Sequence, residues 1–427
     1  MAPVAPMIHH PCWWDSAQPD DEDAPVPARA DVAVVGAGYT GLAAARRLAA
    51  SGAEVVVLDR ARAGWGASSR NAGQVLTGLT AEPATLVARA GAARAKALFE
   101  LSLEAIAELE RLVREERIEC DYRRSGHLQA AAKPSHFDAF RDEQALLARV
   151  FGHRVELVTR ERQRSELGSD AYHGLLVDER SGSLDPARYV AGLAAAARRA
   201  GARIVGGCEV RVLRRTGSRW SIDTARGPVD AGEILVATNG YSATLPWLRS
   251  RVVPIGSYVI ATEPLSPPVA SSLLPTGRMG FDSRHVLHYF RLTPDRRLLF
   301  GGRARFSARP AEEDTERAAA ILRRDLLRVF PDLEATRIEY AWGGTVGFTR
   351  DRMPHAGRAD WWYSVGYGGH GIALATHLGT VVARRIAGES LAHPMLDDRF
   401  RAIPLYRGYP WFLPLVGAYY RVRDLVG

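Results

Sequence analysis

At 427 residues the chain is long for one hydrophobic core, so two domains are expected, and 47% hydrophobic with 24% charged residues is the balance of a globular protein. The net charge of +8 is almost all arginine (Lys96 and Lys133 are the only lysines) and is spread along the chain, so with no basic stripe beside aromatic platforms a nucleic-acid partner is not expected. Cys12, Cys120 and Cys208 stand far apart in no zinc or CxxC spacing, which argues against a metal site and a disulfide framework. No apolar run approaches the roughly 18 residues of a spanning helix, and no basic-then-apolar leader opens the chain, so a cytoplasmic placement is the simplest.

Residues 1–29 are rich in Pro and Asp and read as a surface arm with Trp13 and Trp14 tucked in. The stretch Val32–Asp59 is the most informative of the chain: apolar run, Gly36-x-Gly38-x-x-Gly41, Ala-rich helix, second apolar run, then Asp59. Gly36 permits the tight turn, Gly38 lets the backbone approach a pyrophosphate, and Gly41 lets the helix pack close to the strand. The helix N-terminus offers N–H groups to the phosphates. Asp59, eighteen residues past Gly41, is placed to accept from ribose hydroxyls, which favours FAD or NAD over NADP.

Directly after the second strand, Gly64–Gln74 (GWGASSRNAGQ) is a small-residue loop whose amides can reach a ligand. Leu98, Leu101, Ala105, Leu109 and Leu112 predict an amphipathic helix within 84–117, and 137–165 reads as helical and polar. Asp185-Pro186 opens a helix over Ala187–Ala200. Strands are expected at 203–205, 209–214, 220–224 and 233–237, then at 252–262, 287–292 and 298–303. A helix over 311–330 ends at Pro331; strand 361–367, glycine turn 368–371 and helix 372–387 follow. Nucleotide-type signals near both ends, with strand-rich material between, predict a discontinuous nucleotide-binding domain (30–108, 184–250, 341–393). A substrate domain (109–183, 251–340) is inserted into it, the arm 1–29 precedes it and a tail, 394–427, follows.

Four stretches in this order carry a resemblance. They are the GxGxxG unit, the Gly64–Gln74 loop, Ile234–Gly240 (ILVATNG), and Trp342–His355 (WGGTVGFTRDRMPH) with Ser364–Ile372 (SVGYGGHGI). Together, from about Trp13 to Gly388, the chain resembles the D-amino-acid-oxidase-like superfamily of FAD-dependent amine oxidoreductases. Through SSRNAGQV, YFRLTPDRRLLFGG and GFTRDRMPHAGR it resembles the gamma-glutamylputrescine oxidoreductase group within it. The resemblance implies an α/β fold (α+β overall), with a Rossmann-like FAD-binding domain of the glutathione-reductase-like type and a substrate domain built on a mixed, largely antiparallel sheet. It implies that Gly36, Gly38, Tyr39, Thr40 and Gly41 hold the pyrophosphate, Asp59 and Arg60 the ribose, and Val210 the adenine. Ala67, Ser68, Arg70, Asn71, Ala72, Gly73 and Gln74 would run along the ribityl chain and ring, with Thr238, Gly240 and Gly343 nearby. Gly369, His370, Gly371 and Ile372 would bring a helix N-terminus to the flavin pyrimidine, where reduction leaves negative charge. No cysteine falls in a motif that makes a thioether, so the FAD is expected to be non-covalent.

Two departures narrow the chemistry. Ala373 stands where sarcosine-oxidase-like relatives carry a carboxylate-binding lysine, and the strand Leu298–Arg303 carries no lysine. Both argue against sarcosine-like substrates and fast oxygen use. On His288-Tyr289-Phe290-Arg291, alternation puts His288 and Phe290 on one face; the resemblance favours Phe290 toward the flavin, with Arg303 meeting an anionic group of the substrate. His288, Phe290, Arg303 and His370 are the expected catalytic set, and the expected reaction passes hydride from the α-carbon of a neutral amine to flavin N5, leaving an imine for water. Oxygen, or a quinone or other carrier, would take the electrons. The rival readings are an N-methyl amino-acid demethylase or amino-acid dehydrogenase feeding quinone, and a non-catalytic FAD-binding partner protein. The aromatic, arginine-bearing tail Pro404–Gly427 either folds back on the protein or docks at a membrane surface, which would make the protein peripheral to the inner face of the membrane.

Overall fold

Two eight-stranded sheets organise the chain, in a computed structural model that describes residues 6–18, 24–302, 314–396 and 399–426. In the first, the central order is His355–Arg358, Trp362–Val365, Val229–Val236, Arg29–Val35, Val55–Leu58 and Arg203–Val205. The four pairings from Trp362–Val365 to Arg203–Val205 are parallel. Such strands are covered on both faces, which is why Val32–Val35 and Val55–Leu58 read as unbroken apolar runs. Val210–Thr216 and Arg219–Thr224 form an antiparallel extension.

The second sheet runs Ile338–Phe348, Val253–Thr262, Leu298–Gly302, His288–Leu292, Met279–Asp282, His127–Ala130, Leu175–Asp178 and Glu156–Val158. It is antiparallel except where Met279–Asp282 meets His127–Ala130. Helix Thr315–Val329 packs on one face of it and buries Leu322, Leu326 and Val329 against Phe290 and Phe300. The arm reaches the other face, where Trp13 is buried with Val259, Leu299 and Trp342.

Three expectations are corrected. The helix within 84–117 is two helices, Pro83–Ala90 and Ala92–Glu115, because Gly91 sits at φ +76°, a left-handed conformation that stops the first helix. Residues 137–165 are not one helix: Pro134–Leu146 ends in a π turn, Leu147–Phe151, closed by Gly152 at φ +64°, and a strand and a 3₁₀ turn follow. Residues 341–348, grouped by sequence with the nucleotide-binding parts, pair along Val253–Thr262 in the second sheet.

Candidate active site

A cavity of about 830 Å³ runs between the two sheets. At one end it is floored by the Gly36–Gly41 turn. Gly36 has φ +109°, and a Cβ there would lie 2.8 Å from the Ala237 carbonyl oxygen. At Gly41 a Cβ would lie 1.9 Å from the Gly36 oxygen, so this glycine sets how closely helix Tyr39–Ala49 sits on its strand rather than bordering the cavity. Gly38, Tyr39 and Thr40 do border it; the N-cap, Gly38, has no side chain to cap this helix, the Tyr39 amide donates to Ser68 Oγ at 3.2 Å, and the positive end of the helix favours an anion here. Asp59 spans the next strand end, accepting from Ala37 N at 2.7 Å and Ala61 N at 2.9 Å. Burial raises its carboxyl above the usual range against those two amides and Arg60. Arg60, Glu209 and Val210 border the same end.

The Gly64–Gln74 loop forms the next stretch of wall. Arg70 is buried between the rings of Trp14 and Trp65, with its guanidinium on the Trp65 and Gly343 carbonyls at 2.9 and 3.1 Å. Asn71 donates to the Ala67 and Ser68 carbonyls and accepts from Gly73 N at 2.8 Å, which holds the loop in one shape. Ala67, Ser68, Arg70, Asn71, Ala72 and Gln74 border the cavity; Gly73 lies behind it, packed against the Leu184 carbonyl. Thr238 borders it too, whereas Gly240 and Gly343 sit one residue behind, next to the lining residues Tyr241 and Gly344. Across the cavity, Gly368 (φ +58°) and Gly369 (φ +102°) turn the chain into helix Gly371–Ile386, whose N-cap, His370, makes no capping bond. Gly369, His370, Gly371 and Ile372 all border the cavity, with Thr80 Oγ1 at 3.4 Å from His370 Nδ1.

The face of strand His288–Leu292 is the opposite of the expected one. Phe290 is fully buried, edge-on to Phe330 and parallel to Phe300 beneath helix Thr315–Val329. His288 shares that side, stacking on Phe300 and lying between Asp282 at 3.1 Å and Asp325 at 3.4 Å. Neither borders the cavity; Tyr289 does, with its hydroxyl 3.0 Å from Ser257 Oγ. Arg291, on the Tyr289 side, is buried, with Nη1 donating to the Ala72, Gly73 and Leu184 carbonyls. Helix Thr315–Val329 decides this: it needs an apolar face beneath it, and Phe290 with Phe300 supplies one. Arg303 lies outside the described residues.

Sequence reasoning missed a polar wall assembled from distant segments. His153 Nε2 lies 2.7 Å from Asp178 Oδ2, Thr77 Oγ1 donates to the same oxygen at 2.7 Å, and His127 Nδ1 meets Ser181 Oγ at 2.8 Å. Burial opposes the Asp178 charge, but bonds from His153 and Thr77 with His127 close by hold its carboxyl at about 2. Burial pushes the His127 imidazole below its usual range, so it stays neutral. Further along, Glu143 shares the lining with Glu82; burial and that second carboxylate push its carboxyl up to about 7. No motif joins these residues, and only the apposition of strands His127–Ala130 and Leu175–Asp178 could have grouped the wall.

Such an architecture, a glycine-turned parallel sheet joined to a second sheet across one cavity, is that of a dinucleotide-dependent oxidoreductase. The chain belongs to the family whose model is described as "DAO: FAD dependent oxidoreductase", which matches residues 31–385. It is similar to gamma-glutamylputrescine oxidoreductase of Escherichia coli, at 34% identity over 93% of each chain. It is also similar to the probable oxidoreductase OrdL of Haemophilus influenzae, at 34% over 88% of each. Among solved structures, glycine oxidase from Geobacillus kaustophilus superposes with TM-score 0.73 at 23% identity, over 88% of this chain and 99% of that one, a likeness of fold. The cofactor is FAD, and the residues fit it: a cradle closed to any Cβ at Gly36, a carboxylate at the strand end, and two helix N-termini bordering one cavity. None of the three cysteines borders that cavity.

Proposed function

We propose that the protein oxidises the C–N bond of an amine that carries a second cationic group, as a gamma-glutamylputrescine-like amine does. One observation carries this reading: the cavity continues from the glycine cradle past the Gly369–Ile372 turn to a wall bearing Tyr289, His127 and Glu143. When bound, FAD would supply a two-electron acceptor for hydride from the carbon next to nitrogen, leaving an imine for water to hydrolyse. The chain's own residues do the rest. Gly36–Thr40, Asp59 and the Gly64–Gln74 loop hold the cofactor, non-covalently because no thiol is in reach. The N-terminus of helix Gly371–Ile386, which borders the cavity at Gly371 and Ile372, would stabilise negative charge left on the cofactor by reduction. The Tyr289 hydroxyl and the neutral His127 imidazole supply hydrogen-bonding groups that orient an uncharged amine. Glu143, with a carboxyl near 7, ionises readily beside a cation and suits the second ammonium.

Anaerobic titration of the FAD-loaded protein with monoamines, diamines, gamma-glutamyl amines and N-methyl amino acids tests the reading. Bleaching of the flavin by amines with a second cationic group, at concentrations at least about tenfold below those needed for monoamines, is the expected outcome. A flavin left oxidised by every compound would instead favour a non-catalytic FAD-binding protein, and selective bleaching by N-methyl amino acids would favour the demethylase.

A further inference from the structure

We propose that the C-terminal segment, helix Leu413–Val426 with the turn before it, docks the protein on an anionic lipid surface. The segment has two apolar sides. Phe412, Leu413, Val416 and Tyr420 face inward and line the cavity. The helix is fastened across it: Asp424 accepts from His285 N and Val286 N at 2.8 and 3.0 Å, and Arg352 donates to the Tyr420 hydroxyl at 3.0 Å. The expectation that the tail folds back is thus met by one side only.

The other side is bare. Leu415, Tyr419 and Val422 follow one another at four and three residues, one face of the helix, and are 66, 57 and 58% exposed; Trp411, in the turn before it, is 60% exposed. Leu405 and Tyr409 extend the strip. Among the described residues, seven large apolar side chains are exposed and six of them lie here, so the strip is a concentration and not the ordinary scatter of a surface. Arg401, Arg407, Arg421 and Arg423 are exposed around it, while the acidic residue of the helix, Asp424, is engaged inward.

That charge pattern selects the occupant. A second copy of the chain on this strip would bring arginines against arginines across a two-fold axis, with no acidic partner in the strip. A bilayer with anionic headgroups meets the arginines with phosphate and takes the tryptophan and tyrosine rings at the interfacial depth they favour. Among the described residues no helix is long and apolar enough to cross a membrane, which leaves an in-plane attachment.

The test is flotation of the FAD-loaded full chain with vesicles of phosphatidylcholine alone or mixed equally with phosphatidylglycerol, at low and at high salt. The proposal expects the mixed vesicles at low salt to carry the protein up, with at least about tenfold less on neutral vesicles and release by salt. Leu415→Asp combined with Val422→Asp touches neither the cavity nor the fastenings; it should abolish flotation while leaving FAD content and melting temperature unchanged. Protein that stays at the bottom with anionic vesicles at low salt overturns the proposal, as does equal flotation of the variant. A concentration-dependent dimer lost in the same variant, with no vesicle binding, would assign the strip to a second copy.

Discussion

Tyr289 and Phe290 are neighbours with opposite duties, and the contrast is open to experiment. Tyr289→Phe removes one hydroxyl beside Ser257 on the cavity wall, so kcat/KM for an amine should fall about five- to tenfold, the loss expected for one hydrogen bond, with FAD content and melting temperature nearly unchanged. Phe290→Ala empties a fully buried site between Phe300 and Phe330 and should cost about 3–5 kcal/mol of stability. Calorimetry and steady-state kinetics on the two variants separate the roles; a stable, catalytically crippled Phe290→Ala would return that ring to the active site. Alternation in His288–Leu292 makes two faces legible in the sequence but not which of them meets the cavity. That depends on helix Thr315–Val329, far along the chain. Arg291 illustrates the same limit. A strand arginine in sequence is a charge for a substrate or for solvent; in the structure its guanidinium pins four backbone carbonyls and burial lowers it to about 10.

At the scale of elements, helices Tyr39–Ala49 and Gly371–Ile386, two of those whose first turns border the cavity, are locked together. A Cβ on Gly379, midway along Gly371–Ile386, would lie 2.3 Å from the Thr40 carbonyl oxygen of helix Tyr39–Ala49. Thr40 Oγ1, Tyr367 Oη and Ser364 Oγ continue the junction as a chain of hydroxyls at 2.7 and 2.8 Å. Helix propensity alone favours Gly379→Ala by about 1 kcal/mol. The backbone contact reverses the sign: separating the helices should cost about 1–3 kcal/mol, typical of overpacking, and should shift both N-termini that border the cavity. A lower melting temperature together with faster loss of FAD on dilution is expected; a variant more stable than the parent would show that the crossing is loose. The glycine cradle was legible because its residues are contiguous and each glycine does a separate steric job. Gly379 was not, because a helical glycine has no local signature of the helix that crosses it. Gly91 lay inside an apolar pattern that continues on both sides, so periodicity ran straight through the break.

Across the whole molecule, the nucleotide end is built from short stretches of chain and the substrate end from single residues brought together by the second sheet, which is why the first could be read in advance and the second could not. The buried network behind that sheet sets a pH dependence of stability. Burial opposes protonation of His288, but bonds to Asp282 and Asp325 outweigh it and push the imidazole up to about 9. Asp282 is itself fully buried and shared with Arg284, so this cluster ties strands Met279–Asp282 and His288–Leu292 to helix Thr315–Val329. In the unfolded chain a histidine titrates near 6.5, so the folded state binds the proton more tightly. The resulting stabilisation is fully present below about pH 6.5 and is lost as the pH rises through 9; a shift of this size corresponds to roughly 3 kcal/mol. Thermal midpoints of the FAD-loaded protein should therefore fall between pH 6.5 and 9.5. His288→Gln should be less stable than the parent at pH 6, and its profile should be flatter over the same range. Parallel profiles for parent and variant would mean that His288 does not hold its proton in the folded state, and would move the alkaline loss to other groups.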